Sequence, residues 1–303
     1  MSQNIHNLDG LGDTIRKIRE NKQLTQKEVA GDIPRATYSR IEAGKTIPSL
    51  ENFFQIVNRL FMEVGDFMMI HEDFKVSERR KILQLFKNVQ STLNEEGFHS
   101  FFEFSSEYLK THHDLEIENL FKSLQGLYQF SKTDDRAETF LYVKPLWLSL
   151  KNKDELYYWD SLALSSIIFS LPDSSDIHFQ VNRLANSFKR LAPFYPDTQG
   201  HLARLYLNAV FGLKENNHLH EGGQYVDAAL EISEKLPNRD RVLYYDAMYR
   251  KAEIEFVTGN EALGRRLATE SFQGLQNHEV TKGKNSILND NMSDWQILIQ
   301  KKS

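Results

Sequence analysis

Residues 11–49 read LGDTIRKIRENKQLTQKEVAGDIPRATYSRIEAGKTIPS, and the punctuation of this stretch decides the fold of the first part of the chain. Leu11, Ile15 and Ile18 recur at helical spacing with charges between them, which predicts an amphipathic helix to Lys22. Thr25 and Glu28 have capping-box spacing: the Thr hydroxyl accepts from the N3 amide while the Glu carboxylate reaches back. They open a short second helix that Gly31-Asp32 ends. Pro34 suits the start of a third helix, because its missing N–H lies among the orphan donors. That helix runs from Arg35 to Ala43 and stops at Gly44, a natural C′ residue. Pro48-Ser49 opens a fourth, with Leu50, Phe53, Phe54, Val57 and Leu60 expected inward, and a fifth near Val64 to Met69 completes the domain. The boundary falls near His71 to Val76, giving domains 1–72 and 73–303.

Working outward, 303 residues suffice for a small domain and a larger one, each with its own core. Twenty Phe and twelve Tyr supply an interior, and only 15 Gly and 7 Pro disfavour a turn-dense β-sandwich. The chain has no Cys, which excludes disulfides, thiolate metal sites and Cys nucleophiles together and fits a reducing cytoplasm. MSQNIHNLDG lacks the basic and apolar regions of a signal peptide. Leu162 to Leu171, the most apolar stretch, is too short and serine-rich to span a bilayer. A cytoplasmic protein without membrane contact is expected. The net charge of −5 looks wrong for a nucleic-acid binder until it is divided. Residues 1–60 hold nine Lys and Arg against seven Asp and Glu, so the acidic excess lies entirely in the remainder. Phosphate affinity needs only a local basic face.

Beyond residue 72 helical periodicity continues to the end of the chain. Helices are expected near 77–92, 98–112, 114–130, 135–151, 155–170, 176–191, 198–214, 223–235, 240–257, 261–276 and 285–300. Breakers at Gly97, Pro172, Pro196, Pro237, Gly259-Asn260 and Gly283 fall between them. Helix–loop–helix units without strands argue for antiparallel pairs stacked into a solenoid. Tyr249, Ala252 and Phe256 before Gly259-Asn260, then Gly264 and Ala268, resemble a degenerate tetratricopeptide repeat. The fold class is therefore all-α: a small helical domain followed by a tetratricopeptide-like solenoid.

The ordered string Leu11-Gly12, Ile15-Arg16, Arg19, Leu24-Thr25-Gln26, Val29-Ala30, Ser39-Arg40-Ile41-Glu42, Gly44 and Pro48-Ser49 resembles the lambda-repressor-like, or XRE-type, helix-turn-helix family over almost all of residues 10–70. The resemblance implies that the helix from Arg35 enters the major groove of double-stranded operator DNA, where each base pair presents a distinct donor and acceptor pattern. If Tyr38 and Ile41 face the core, Arg35, Ala36, Thr37 and Arg40 face outward. Arg35 is then placed for a bidentate contact to guanine, Thr37 for a thymine methyl or a phosphate, and Arg40 for a base or the backbone. Gln26, Lys45 and Thr46 match family positions that fix the domain on phosphates. Arg16 and Glu42 match positions that pair inside the domain.

The turn Gly31-Asp32-Ile33-Pro34 is about two residues shorter than the usual family spacing, which resembles the Rgg/MutR group of peptide-responsive regulators of Gram-positive bacteria. The resemblance implies a homodimer whose repeat domain binds a short signalling peptide on its concave face. Candidate liners are Arg183 and Asn186 on one helix and Arg204, Asn208 and Phe211 on the next, with Asn208 foremost because it interrupts an apolar run. An Asn amide both donates to and accepts from a peptide backbone. Some group members carry a Cys that links subunits; here a dimer has to be non-covalent. The last apolar stripe, Ile287, Leu288, Met292, Trp295, Leu298 and Ile299, either caps the final repeat or docks on a partner subunit.

Other readings find less support. His112-His113 and His218-x-His220 lack a third ligand, so no metal or other cofactor is expected. No nucleotide-binding or esterase motif occurs, and an enzyme is not expected. Glu95-Glu96 and Asp134-Asp135 read as helix-start or loop residues. The main alternative is a DNA-tethered scaffold whose helical domain binds a protein rather than a peptide.

Overall fold

A computed structural model describes residues 8–89, 95–236, 241–278 and 286–302, and the regular elements among them are all helices. Residues 1–7, Pro237 and Gly283, on which some sequence expectations rest, lie outside the described residues. The chain divides into two compact units, Met1–Lys81 and Ile82–Ser303. The division falls inside a helix, later than the boundary drawn from the sequence.

The first unit holds α1 (Leu11–Asn21), α2 (Gln26–Ala30), α3 (Arg35–Glu42), α4 (Leu50–Arg59) and α5 (Val64–His71). The capping box of α2 is present: Thr25 Oγ1 accepts from the Glu28 amide at 3.3 Å, and the Glu28 carboxylate accepts from the Thr25 amide at 2.6 Å. Pro34 occupies the cap position of α3 rather than its first turn, and Gly44 follows the helix with φ +67°. Ser49 caps α4 by accepting from the Asn52 amide at 3.2 Å. Ile15, Ile18, Val29, Tyr38, Ile41, Ile56, Val57, Leu60 and Phe67 form the core. A Cβ at Gly12 would lie 2.1 Å from the Ile41 carbonyl, so only glycine lets α1 and α3 approach this closely. The expectation for α4 needs correction. Leu50 is 70% exposed and Phe54 is 45% exposed, whereas Ile56, left out of the inward set, is fully buried. The inward stripe runs Phe53, Ile56, Val57, Leu60; Leu50 overhangs the N-terminal end and Phe54 lies on the flank.

The second unit holds α6 (Glu78–Asn88, shared across the division), α7 (Glu95–Thr111), α8 (Leu115–Thr133), α9 (Arg136–Leu150), α10 (Tyr158–Ile167), α11 (Ser174–Leu191), α12 (Thr198–Glu215), α13 (Gly223–Lys235), α14 (Arg241–Val257), α15 (Glu261–His278) and α16 (Ile287–Lys302). Each expected helix has its counterpart, although Gly97 lies within α7 rather than before it. Asp135, read as a helix-start residue, caps α9 by accepting from the Glu138 amide at 2.9 Å. From α8 onward the even-numbered helices touch in succession, α8 to α10, α12, α14 and α16. The odd-numbered helices pack between them without comparable contacts to one another. A stack closes on the side where its helices approach, so the even layer lines the inner face. Gly264 permits the tight α14–α15 pair, since a Cβ there would sit 2.9 Å from the Ala252 carbonyl. Trp295 of α16 packs on Tyr249 and Phe256, so the final helix caps the last repeat. Among the described residues no helix is long and apolar enough to cross a membrane.

Candidate nucleic-acid interface and inner groove

The position of α3 is set by two side chains. Tyr38 and Ile41 are buried in the core, which turns the other side of the helix outward. Arg35, Ala36 and Arg40 are exposed there and Thr37 is half-buried. Lys45 is exposed just after Gly44 and Thr46 is half-buried. The turn before α3 is braced from α4. Gly31 has φ +53°, a Cβ on it would lie 2.2 Å from Arg59 Nε, and Arg59 Nη1 donates to the Glu28 carbonyl at 3.4 Å.

Beneath α3 lies a buried polar centre that the sequence reading assigned to the wrong arginine. Glu42 pairs with Arg19, not Arg16: Arg19 Nε donates to Glu42 Oε1 at 2.6 Å and Nη2 to Oε2 at 3.2 Å. Arg16 is exposed and pairs with Asp13 at 2.5 Å. The helical wheel explains the difference, because Arg19 follows Ile15 by four residues and flanks the apolar stripe, while Arg16 lies farther round. Tyr38 Oη donates to Glu42 Oε1 at 2.7 Å, and Gln26 Nε2 donates to Oε2 at 2.7 Å. Burial pushes the Tyr38 hydroxyl well up, helped by the neighbouring carboxylate, so it remains a donor. Gln26 thus bridges the start of α2 to the end of α3, with its amide orientation set by a buried acid. Arg19 and Arg59 were missed as parts of this framework; the wheel could have found the first, whereas no sequence signal marks the second.

In the second unit the structure brings some predicted peptide liners together and separates others. Arg204, Asn208 and Phe211 share the partly exposed stripe of α12 in the even layer. Asn208 Nδ2 donates to the Ser165 carbonyl of α10 at 3.2 Å, which uses one of the four hydrogen bonds an amide can make. The Phe211 ring packs against Phe130 and Phe169 at 5.8 and 6.0 Å between centroids, and the Arg250 guanidinium lies 5.6 Å from its centre. Arg183 and Asn186 sit on α11, in the odd layer. Arg183 donates to the Lys151 carbonyl at 2.7 Å and also to that of Lys153, clamping the turn after α9. The even layer also carries charges not singled out from sequence. Lys214 of α12 pairs with Glu253 of α14 and Asp294 of α16, each at 2.7 Å, and Arg250 pairs with Glu253 at 2.8 Å.

A short capped helix, a tight turn and a second helix held by its core side while its arginines face solvent define a helix-turn-helix DNA-binding domain. Residues 15–67 match the helix-turn-helix family model. The whole chain is similar in fold to several solved structures. A transcriptional-regulator candidate from Listeria monocytogenes aligns at TM-score 0.64 and 21% identity, covering 96% of this chain and 97% of that one. ComR from S. thermophilus, in complex with DNA and its signalling peptide ComS, aligns at 0.62 and 15%, covering 95% and 98%. The Streptococcus dysgalactiae SHP pheromone receptor Rgg2 aligns at 0.57 and 11%, covering 96% and 97%. The first unit thus carries a helix-turn-helix domain, and the whole chain shares the fold of these solved structures.

Proposed function

We propose that the protein is a transcription regulator that reads operator DNA through α3 as a homodimer, and that a short signalling peptide in the even-layer groove controls it. The single observation that carries the DNA reading is the outward set Arg35, Ala36 and Arg40 on a helix whose opposite side is anchored by Tyr38, Ile41 and Glu42. Arg35, at the N-terminal end, reads a guanine edge; Lys45, Thr46 and Gln26 hold phosphates. One helix-turn-helix reads a half-site, which is the reason for two copies. The peptide reading rests on the groove stripe of Arg204, Asn208 and Phe211 and on the fold shared with a protein solved with its signalling peptide. Asn208 offers its remaining amide capacity to an extended backbone, and Phe211 offers an aromatic wall.

Selection from random duplexes, with and without peptides from culture supernatant, tests both parts. A single enriched motif is expected, with its occupancy changed by the peptide fraction. Arg35→Ala is expected to lower the preference for that motif over scrambled DNA by about tenfold or more, in line with roughly 1–3 kcal/mol for a bidentate base contact, while far-UV helicity stays unchanged. An unaltered motif and preference would remove Arg35 from the reading surface. Asn208→Ala is expected to keep basal DNA binding and lose the peptide response; a full response in that variant sets the groove assignment aside.

A further inference from the structure

In the second unit Asp114, Asp135, Asp173 and Asp197 each stand immediately before a helix, and one of the four behaves differently. Asp114, Asp135 and Asp173 are extended, with ψ of 99°, 102° and 124°. Each of these carboxylates accepts from an amide of the first turn that follows, Ile117, Glu138 or Ser175. Asp197 precedes α12 with ψ −9°, helical rather than extended, and its side chain makes no capping bond.

Its carboxylate is turned to other elements. Asp197 Oδ2 accepts from Lys87 Nζ at 2.9 Å and from the Tyr158 hydroxyl at 2.7 Å, and His201 Nε2 lies 3.8 Å away. Lys87 is the penultimate residue of α6. Its ammonium also lies 4.8 Å from the centre of the Tyr158 ring and 5.4 Å from that of Trp159. The Tyr158 ring in turn stacks on Tyr195, in the turn before Asp197, at 4.0 Å. One carboxylate thereby joins the end of α6, the start of α10 and the start of α12.

The two uses of this carboxylate exclude each other. A capping residue takes an extended backbone, which swings its side chain over the first-turn amides; Asp197 holds Lys87 from a helical backbone. An aspartate cap and a partly exposed ion pair are of comparable strength, each about fivefold in an equilibrium constant. Two alternatives of similar strength on one residue make a two-state element.

We propose that Asp197 is a two-position switch, which either holds Lys87 and fixes the last turn of α6 or releases Lys87 and caps α12. α6 begins in the first unit and ends in the second, and α12 carries Arg204, Asn208 and Phe211. A ligand that orders the start of α12 favours the capped position and so frees α6. This consequence for DNA binding rests on the functional reading above; the switch itself does not.

Amide exchange read residue by residue on the full chain tests the switch without a ligand. Lys87→Met keeps the apolar stem beside the Tyr158 and Trp159 rings and removes the charge. It is expected to speed exchange in the last turn of α6 and to slow it about fivefold at Gly200. Gly200 follows Asp197 by three residues, as Ile117 follows Asp114 and Glu138 follows Asp135. Asp197→Ala is expected to speed exchange at both places. Asp197→Ser, which caps but cannot pair with a cation, is expected to reproduce Lys87→Met. A bond that merely fastens two elements predicts faster exchange on both sides in Lys87→Met; that result, or an unchanged Gly200, overturns the proposal. On the duplex enriched by selection, Lys87→Met, Asp197→Ser and the two combined are expected to shift affinity by the same factor, about fivefold or more, since each leaves α6 free. Additive shifts, or none, overturn the link from the switch to DNA. If selection enriches no motif, the functional reading fails by itself, and exchange at Gly200 still decides whether Asp197 switches.

Discussion

Glu42→Ala is expected to unfold the first unit near ambient temperature while the second unit keeps its helices. Glu42 is 2% exposed and its two oxygens accept from Arg19 Nε, Arg19 Nη2, Tyr38 Oη and Gln26 Nε2. These four bonds fill the capacity of a carboxylate. Without it Arg19, itself 9% exposed, keeps only the Leu24 carbonyl at 3.0 Å and the exposed Glu20 at 3.2 Å. Stranding one partner of a buried ion pair costs roughly 3–5 kcal/mol. At roughly 0.05–0.15 kcal/mol per residue, a unit of this size has on the order of 4–12 kcal/mol in all, so the loss is a large share of its stability. Thermal melting followed by far-UV circular dichroism, with limited proteolysis to assign the early transition, measures it. An unchanged first transition would show that the network contributes little. The same carboxylate predicts acid sensitivity. Burial alone would raise its pKa, but hydrogen bonds from Arg19, Tyr38 and Gln26 hold it below the ordinary glutamate value. A group depressed by folding contributes stability that is fully present above the unfolded-state value and is lost as pH falls through the folded one. Wild type is therefore expected to lose first-unit stability below the ordinary carboxylate range, and Glu42→Gln to show a shallower acid slope.

Local chemistry made the first unit legible. The capping box at Thr25 and Glu28, Gly44 after α3 and Ser49 before α4 each act within a few residues, and each stands where the sequence placed it. The outward position of Arg35, Ala36 and Arg40 followed from assigning Tyr38 and Ile41 to the core, and their burial agrees. Partners distant in sequence were not legible in the same way. Arg19 could have been preferred to Arg16 from the wheel of α1, but no local signal ties Arg59 of α4 to the turn before α3. Leu50 is as apolar as Phe53, but whether a neighbour covers it depends on where α2 and α3 end.

In the second unit, periodicity gave the helices but not the layer each belongs to. Arg183 and Asn186 stand on the helix before that of Arg204 and Asn208, and consecutive helices in a stacked pair lie in opposite layers. Arg183 is accordingly spent on loop carbonyls, while Arg204, Asn208 and Phe211 share the inner stripe. The charged network was invisible for a further reason: Lys214, Glu253 and Asp294 look like ordinary solvated residues until three even-numbered helices meet.

That network supports the other large effect, on Glu253→Ala. Glu253 is fully buried and accepts from Lys214 at 2.7 Å, Arg250 at 2.8 Å and the Tyr249 hydroxyl at 3.1 Å. After truncation, Asp294 at 2.7 Å from Lys214 and 3.6 Å from Arg250 is the remaining acid that pairs with both cations, and it is partly exposed. The expected loss is again roughly 3–5 kcal/mol, now from the second unit. Lys214→Met should cost distinctly less, because it leaves Glu253 its bonds from Arg250 and Tyr249 and leaves no cation unpaired. A charge network that links α12, α14 and α16 also fixes the Arg250 guanidinium over Phe211. Hydrogen exchange in Glu253→Ala is therefore expected to rise in α12 and α14, whose Lys214, Arg250 and Tyr249 lose the carboxylate, and in α16 as well, because Asp294 is held by the same two cations. If exchange rose in α14 alone, or if Lys214→Met were the more damaging change, the three helices would not be coupled through Glu253.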